Sequence, residues 1–504
     1  MNLQLGTVVS TIDGPSPSKF DFVVNNGSVH KGMFVELNYS EGTMICLVEE
    51  LIKTNRYFER PDSVKTIGAE LEKNFPTADW EFLIAKAKPL GVFYESLIKR
   101  ATLPPSPGTK VFIASNENIK KFLKLEDNGL NLGSIQFHDI PLKLNLSKLL
   151  QKHLSVLAMS GAGKSFLMSV ILEELQKRSD DQGKIATIVF DTHGEYTSFG
   201  EPVTNSNFVD FSANTRVVDG SKIKISVSNI SPQTLSSLLS TITPVQKREL
   251  FKIISKLRSE MKSGLGPFDL ITLKNEFSSL DSKTAIPLNF LVDELISLNV
   301  FGKIDDPSIF DLVKPGQLVI IDLNNIISER KKQLIVSYLS QKLFNLRRVK
   351  KVCPFALLVE EAHNFIPENT SAEFALAKPI LRTIAREGRK FGASLIIVSQ
   401  RPKRLDTTTL ANCNTNIILR ITNPYDLDHI KQSSEGLDSG TISMISALRV
   451  GEAIIVGEAI SAPTFFKVRM RESMPSKHEM SMEDAAKRFV ADDKTSVDEI
   501  SNFL

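Results

Sequence analysis

The sequence predicts an α/β protein in which a doubly wound parallel sheet follows a small β-barrel. The first hundred residues contain short β-rich runs between tight turns, which favours a barrel or a sandwich. From about residue 150, apolar runs of four to seven residues alternate with longer helical patterns, as in a parallel sheet buried on both faces. The chain has 504 residues, 42% of them hydrophobic, which is enough apolar material for a large core and predicts roughly three domains.

The composition excludes several classes of protein. Lysine plus arginine total 61 and aspartate plus glutamate total 58, so the net charge of +3 argues against a uniformly basic surface but allows local nucleic-acid contacts. The three cysteines are scattered, which does not predict a disulfide framework or a cysteine zinc site. The sequence has neither a long apolar run nor a signal peptide, so we expect no membrane partner and a cytoplasmic location.

The predicted barrel begins with four short strands and closes with a fifth, at residues 5–9, 20–24, 33–37, 43–48 and 85–93. The run Pro-Pro-Ser-Pro-Gly at 104–108 breaks the chain. Strand-like residues resume at 110–113 and 141–146, so the barrel is expected to straddle this break. We therefore assign residues 1–140 to the N-terminal barrel domain.

Six apolar runs are the predicted strands of the α/β core, at 154–159, 185–190, 318–323, 355–359, 394–398 and 416–421. Strands stop between about 230 and 315, where helical patterns at 235–239, 248–261 and 288–298 predict a helical insertion. Further strand-like runs follow at 453–456 and 464–469, so the domain is expected to span 141–470. The polar segment 471–504, with a short helix at 482–490, is either a flexible tail or an arm that docks on a neighbouring subunit.

The strongest motif is AMSGAGKS, which runs from Ala158 to Ser165 between a predicted strand and a predicted helix. This is the context of a phosphate-binding loop, where backbone N–H groups and the helix dipole bind phosphates. Ala158 stands where the pattern usually has glycine, but the tight part of the loop is retained. Lys164 is expected to bridge the β- and γ-phosphates of ATP, and Ser165 to ligate Mg²⁺. The expected nucleotide-binding residues of the loop are Ser160, Gly161, Ala162, Gly163, Lys164, Ser165 and Phe166.

Acidic side chains follow two of the predicted strands. Asp191 ends one strand, and Glu360 and Glu361 end another. Ligands of open α/β sheets bind at the carboxyl ends of the strands, and buried carboxylates need a cation or a water network. We expect Glu360 and Asp191 to ligate Mg²⁺ and Glu361 to polarise the attacking water. The alternatives are a solvent-facing loop for the glutamates and a capped turn for Asp191, while His363 either contacts phosphate or caps its loop.

An amide and several arginines complete the candidate site. Gln400 follows a strand and is expected to bond the γ-phosphate or the lytic water, unless it only shapes a turn. Arg386 and Arg389 end a helix, where they serve either as dipole partners or as an arginine finger toward the next subunit of a ring. We favour Arg386 as the finger, with Arg389 or Arg420 as alternatives. The basic runs 347–351 and 401–404 suit contacts to a nucleic-acid backbone.

In chain order, the motifs AMSGAGKS, FDTHGEY, LLVEEAHNF, AREGRKFG, IIVSQRP, NIILRI and VGEAIIVG resemble those of the HerA ATPases of the HerA–FtsK superfamily. The resemblance covers roughly 140–470, and the β-rich start is similar to the HAS barrel of that family. It implies a RecA-like P-loop ATPase core that works as a homohexameric translocase and helicase on double-stranded DNA. It also implies a nuclease partner of the NurA type in DNA end resection for recombinational repair. The ATP-site roles then fall on Lys164, Ser165, Glu360, Glu361 and Gln400, with Arg386 as the trans finger.

Three other functions remain open from the sequence alone. A ring ATPase with another cargo, such as a conjugative coupling protein, usually carries a membrane anchor that this chain lacks. A nucleotide-dependent scaffold, for example in a defence complex, would not need the intact Lys164 and Glu361. A P-loop kinase would not need the barrel, the insertion or the paired arginines. Turnover that depends on DNA separates the motor from the kinase.

Overall fold

The computed structural model describes residues 3–11, 14–25, 28–55, 58, 80–94, 97–203, 206–239, 242–370, 374–434, 437–476 and six positions between 482 and 490. The chain forms two compact units. The first comprises residues 1–167, 400–403 and 413–470, and the second comprises 168–399, 404–412 and 471–504. The predicted domain boundaries at 140/141 and 470/471 stay a prediction.

The strands of the described residues are, in chain order, β1 (Gln4–Val9), β2 (Phe20–Val24), β3 (Phe34–Tyr39), β4 (Gly42–Asn55), β5 (Glu81–Tyr94), β6 (Leu97–Lys99), β7 (Lys110–Ile113), β8 (Leu130–Ile135), β9 (Pro141–Leu144), β10 (Leu154–Leu157), β11 (Ala186–Asp191), β12 (Thr215–Asp219), β13 (Ile225–Ser226), β14 (Phe301–Gly302), β15 (Leu318–Asp322), β16 (Phe355–Val359), β17 (Ala393–Ser399), β18 (Thr415–Ile418), β19 (Glu452–Gly457) and β20 (Thr464–Val468). The α-helices are α1 (Asn116–Leu123), α2 (Leu146–Leu150), α3 (Lys164–Gln176), α4 (Pro232–Ser237), α5 (Pro244–Glu260), α6 (Leu270–Glu276), α7 (Ser282–Ser297), α8 (Glu329–Arg348), α9 (Lys378–Glu387), α10 (Thr407–Ala411), α11 (Pro424–Ser433) and α12 (Ser439–Ser446).

Six antiparallel strands of the first unit close into a barrel. Their order is β1-β7-β3-β4-β5-β2, and β2 pairs back onto β1. All five predicted barrel strands are confirmed, and β7 confirms that the barrel continues beyond the proline-rich break. The expectation that residues 141–146 also belong to the barrel is wrong, because β9 pairs with β8 in a different sheet. The short strand β6 instead adds to the sheet of the barrel by pairing with the end of β5.

The barrel core follows from the two-residue period of its strands. On β4, Met44, Cys46 and Val48 are fully buried at alternate positions, and on β2 the side chains of Phe20 and Phe22 point to the same interior. Each buried phenylalanine or methionine side chain stabilises the fold by about 1.5–3 kcal/mol relative to exposure. The barrel core therefore takes every second residue of β4, although Ile45 and Leu47 between them are also buried.

The α/β sheet strands behave differently in the two units. In the second unit, β12-β15-β11-β16-β17 are all parallel, and every residue of β11, β16 and β17 is buried. In the first unit, β10 is parallel to β18, whereas β18-β19-β20-β8-β9 run antiparallel. All six predicted core strands are confirmed, but β8 and β12 were not predicted. Both have mixed burial and polar residues, so neither shows the continuous apolar run of a central strand.

The helical insertion is confirmed and contains α4 to α7. It lies between β13 and β14, which pair in parallel. Thr243 and Gln246 form a capping box that starts α5, and Arg258 of the same helix donates to the carbonyls of Ser228 and Ile230. The short helix α6 was not predicted from the sequence. Among the described residues, none of the helices has both the length and the apolar character that a membrane span requires.

The C-terminal segment is only partly described. Residues 471–476 pack on the second unit of their own chain. Six of the nine positions of the predicted helix at 482–490 are described, and all six are helical.

Candidate functional site

The phosphate loop has the backbone that its sequence predicts. It connects β10 to α3, and α3 begins at Lys164. Gly161 and Gly163 have φ values of 73° and 97°, a region that residues with a Cβ rarely adopt. Lys164 is only 5% exposed, which is unusual for a lysine and is expected of a side chain held inside a loop. Ala158, the departure from the usual pattern, is fully buried below the loop.

The start of α3 favours an anion. Its first turn contains no acidic residue, so no carboxylate neutralises the positive end of the helix dipole. The N–H of Leu167 already donates to the carbonyl of Gly163 at 3.0 Å, which closes the first helical turn. The N–H groups that precede this bond are the groups that bind phosphate in such loops.

Arg420 lies beside the phosphate loop within the first unit. Leu157 pairs with Ile418, and Met159 then donates its N–H to the carbonyl of Arg420 at 3.0 Å, so the parallel pairing continues into the loop. The Nε of Arg420 is buried without a hydrogen-bond partner in the part of the chain that the structure describes. An unsatisfied buried donor costs about 1–3 kcal/mol. A ligand oxygen that accepted a hydrogen bond from this Nε would remove that cost.

Asp191 closes a tight turn at the end of β11 in the second unit. Its carboxylate accepts hydrogen bonds from four backbone N–H groups, those of His193 (3.3 Å), Gly194 (2.8 Å), Glu195 (3.1 Å) and Tyr196 (2.9 Å). Burial raises the pKa of Asp191, and the N–H of Tyr196, a side-chain hydrogen bond with Glu360 and the N–H groups of Glu195 and His193 oppose that shift. The geometry favours the capped turn over direct metal ligation, and the metal role of Asp191 stays a prediction.

Glu360 and Glu361 are both buried, so they do not form a solvent-facing loop. The N–H and the hydroxyl of Thr192 both donate to Oε2 of Glu360, at 3.1 and 3.2 Å. Glu361 has φ 45° and ψ 46°, a left-handed backbone conformation that is uncommon for a non-glycine residue. Such strain costs about 1–2 kcal/mol and is found mainly where function requires a fixed side-chain direction.

His363 connects the two neighbouring strand ends. Its Nδ1 lies 3.2 Å from Oε2 of Glu361 and 3.2 Å from the hydroxyl of Ser399, the last residue of β17. The sequence left open whether His363 contacts phosphate or caps its loop. The structure shows its contact with Glu361, and both of those roles stay predictions. Ser399 was missed because a serine at a strand end carries no distinctive signal. Gln400 follows it directly and is half-buried.

Tyr196 places a buried phenol against the acidic residues. It is fully buried, and its hydroxyl has no hydrogen-bond partner within the described ranges. Burial and then the negative charges of Glu360, Glu195 and Asp191 raise its pKa well above the usual value, so it stays protonated. The sequence marked Tyr196 only as part of its motif, since neither burial nor the missing partner can be read from residue spacing.

Arg386 and Arg389 are both exposed near the end of α9. Arg386 borders a pocket of about 530 Å³ together with Lys378 and Arg382 of the same helix. Lys378 and Arg382 pair with the buried carboxylate of Asp406, at 3.3 and 3.1 Å. Within the described residues no ion pair of Arg386 is found. The exposed guanidinium of Arg386 therefore suits a contact outside its own chain, which stays a prediction.

Comparisons with known proteins agree with the motifs. A family profile for the central domain of the helicase HerA matches residues 130–343. A probable helicase of Methanocaldococcus jannaschii is 29% identical over 465 residues, which cover 87% of this chain and 86% of the relative. The DNA double-strand break repair helicase HerA of Saccharolobus solfataricus is 26% identical over 492 residues, covering 92% and 93%. VirB4 of Thermoanaerobacter pseudethanolicus, at 16% identity and a TM-score of 0.50 over 68% of this chain and 97% of its own, shares the fold. The chain is similar to the HerA helicases over most of its length.

Proposed function

We propose that this protein is an ATP-dependent DNA helicase or translocase that acts in DNA repair. The observation that carries the proposal is the phosphate loop, in which a buried lysine begins a helix directly after two glycines in left-handed conformations. Its HerA-family relatives include double-strand break repair helicases, which supports DNA as the cargo. The expected substrate is ATP.

Each part of the site has a role that its own geometry supports. The loop N–H groups and Lys164 bind the phosphates, and the unsatisfied Nε of Arg420 offers one more donor beside the loop. Glu361 accepts a proton or a hydrogen bond from the attacking water, and the contact with His363 holds its carboxylate. Gln400 is the proposed sensor of the γ-phosphate.

The donor atoms of the site suit magnesium. Mg²⁺ prefers oxygen ligands and is commonly held by one or two carboxylates together with substrate phosphates. Ser165 supplies a hydroxyl and Glu360 supplies a carboxylate, of which Thr192 fixes one oxygen. No group of three His, Cys, Asp or Glu side chains suited to a metal exists among the described residues, which fits an ion brought in with the nucleotide. Bound Mg²⁺ would neutralise charge on the phosphate oxygens.

The finer proposal is a cytoplasmic homohexamer that moves double-stranded DNA and works with a nuclease of the NurA type. In such a ring, Arg386 of one subunit would reach the γ-phosphate held by the next. Its exposure on α9 is what supports this assignment. Arg389, one helical turn further along, is the alternative. The barrel at 1–140 would be the docking platform for the nuclease, and the ATPase domain would span 141–470.

The test is ATP hydrolysis with and without linear duplex DNA at low salt, for the wild type, Lys164→Ala and Glu361→Gln. We expect stimulation by DNA and loss of turnover in both variants, with nucleotide binding lost only in Lys164→Ala. Lys184→Ala is the matched control, since this lysine pairs with Asp180 on the surface. Turnover that ignores DNA would contradict the motor, and wild-type protein that binds ATP without hydrolysing it would instead favour a nucleotide-dependent scaffold.

A further inference from the structure

Residues 471–476 form a short segment of the second unit, here called the strap, that follows β20. The guanidinium of Arg471 folds back to the carbonyls of Ser473 and Met474, which stiffens the segment from within. Ser473 and Ser476 are 1% and 5% exposed. Serine side chains are mostly exposed, so burial this complete indicates that the strap has specific partners.

The first partner is Glu173 on α3, the helix that begins with Lys164. Its side chain is fully buried, and its Oε1 accepts three hydrogen bonds from the strap. These come from the N–H of Glu472 (2.9 Å), the N–H of Ser473 (2.8 Å) and the hydroxyl of Ser473 (2.6 Å). Hydrogen bonds to a buried carboxylate are roughly twice as strong as bonds between neutral groups. Glu173 is therefore the main anchor of the strap.

The second partner is the turn that follows β11. The hydroxyl of Ser476 donates to the carbonyl of Gly194 at 2.9 Å, and the hydroxyl of Ser198 donates to the carbonyl of Met474 at 2.8 Å. These two contacts lie on either side of Tyr196 along the chain. A third contact, from the N–H of Val209 to the carbonyl of Glu472 at 2.8 Å, fixes the other end of the strap.

The turn held by the strap also shapes the acidic strand ends. Its N–H groups surround the carboxylate of Asp191, and Thr192 holds Oε2 of Glu360. Hydrogen bonds therefore run from Glu173 through the strap to Gly194, and from this turn to Glu360. In this series, a change at Glu173 reaches Glu360 first through the strap and then through this turn.

We propose that Glu173 is a positioning residue for the ATPase reaction, because it anchors the strap that fixes the Asp191–Tyr196 turn and thereby the carboxylate of Glu360. The catalytic part of this inference rests on the proposed function. The structural part does not, since it concerns only the order of the turn in the nucleotide-free protein.

Hydrogen exchange of the full-length protein without nucleotide tests the structural part. In Glu173→Ala, the amides of His193 to Tyr196 should exchange about tenfold or more faster than in the wild type. Glu173→Gln keeps an acceptor oxygen, so its exchange rates should lie between those of Glu173→Ala and the wild type. Ser473→Ala, which removes one of the three donors, should also give intermediate rates. The control is Glu472→Ala, which loses an exposed ion pair with Lys177 but keeps its N–H donor and should match the wild type. Wild-type exchange in both Glu173 variants would overturn the proposal.

Steady-state kinetics test the catalytic part. The Glu173 variants should lower kcat about tenfold. In the same variants, the KM for ATP should change less than about twofold and the affinity for a non-hydrolysable ATP analogue should be retained. A loss of nucleotide affinity equal to the loss of kcat would show that Glu173 supports only the fold of α3, and would overturn the positioning role. If the wild type does not hydrolyse ATP, the proposed function fails, and the exchange result still decides whether the strap orders the turn.

Discussion

Thr192 gives two hydrogen bonds to a single oxygen of Glu360, one from its backbone N–H at 3.1 Å and one from its hydroxyl at 3.2 Å. Both residues follow the carboxyl ends of neighbouring parallel strands, because Phe190 of β11 pairs with Val359 of β16. This strand pairing places one oxygen of the buried Glu360 carboxylate beside Thr192, and the two hydrogen bonds hold the carboxylate in one orientation. Sequence order alone separates the two residues by 168 positions, so only the sheet brings them together.

Thr192→Val tests this contact, since valine keeps the shape of threonine and removes the hydroxyl. We expect kcat to fall about tenfold with little change in the KM for ATP, because partners that orient a metal-binding carboxylate typically contribute 10- to 100-fold in activity or metal affinity. The dependence of turnover on Mg²⁺ concentration should shift to higher values. Thr192→Ser restores the donor and should stay close to the wild type; equal loss in both variants would indicate that packing, not the hydrogen bond, matters.

His363 should support Glu361 without replacing it. His363→Ala removes the group that lies 3.2 Å from both Glu361 and Ser399. We expect a loss of about 10-fold in single-turnover hydrolysis, against about 10²- to 10⁴-fold for Glu361→Gln, which removes the base itself. Ser399→Ala should have a smaller effect in the same direction. If His363→Ala hydrolyses ATP at the wild-type rate, the contact with His363 does not position the carboxylate of Glu361 for the reaction.

Arg386 is predicted to act on the nucleotide of a neighbouring subunit. Arg386→Ala should bind ATP normally and lose about 10³-fold in turnover, the low end for a missing arginine finger. Mixed with Lys164→Ala, it should recover part of the activity, because some interfaces of a mixed ring combine an intact loop with an intact arginine. Arg382→Ala is the control on the same helix, although loss of its pairing with Asp406 calls for a parallel stability measurement. No recovery on mixing would contradict a trans role.

Arg420 is predicted to act within its own subunit, since it lies beside Met159 at the entrance of the phosphate loop. Arg420→Ala should weaken ATP binding about 10-fold, which corresponds to loss of one charge-assisted hydrogen bond of about 1.4 kcal/mol. Mixing with Lys164→Ala should not restore activity. Arg420→Lys keeps the positive charge but removes the guanidinium, so it shows which of the two ATP binding requires. ATP affinity equal to that of the wild type in Arg420→Ala would exclude the contact.

Most of the fold could be predicted because its strands carry simple patterns. The runs at β11, β16 and β17 are predominantly apolar and buried at every residue, which is the pattern expected of a strand covered on both faces. The short edge strand β12 was missed because its residues are at most half-buried. The same reasoning explains why β9 was assigned to the wrong sheet, since residue pattern identifies a strand but not its partner.

The candidate site was predictable only where chemistry and local sequence coincide. The glycines and Lys164 of the phosphate loop stand within four residues, so spacing alone identifies them. Glu173, Ser399 and Arg420 have no such neighbours in sequence. Their significance comes from burial and from hydrogen bonds to distant segments, for example 300 positions between Glu173 and Ser473. Asp191 ends a strand as the sequence suggests and also accepts hydrogen bonds from its own turn, and its metal role stays a prediction.

His138 should make the stability of the first unit depend on pH. Its Nε2 accepts the N–H of Phe34 at 3.1 Å, it is 8% exposed, and burial lowers its pKa to about 4 from an ordinary 6.5. Below pH 6.5 the unfolded chain binds a proton that the folded chain takes up only near pH 4, so the free energy of unfolding falls between these values, by up to about 3 kcal/mol. Urea unfolding at about pH 7 and about pH 4.5, followed by the fluorescence of Trp80, the single tryptophan, measures this difference. His138→Gln keeps an acceptor for the N–H of Phe34 and should reduce the difference in the free energy of unfolding between the two pH values. An unchanged difference would show that other groups cause the pH dependence.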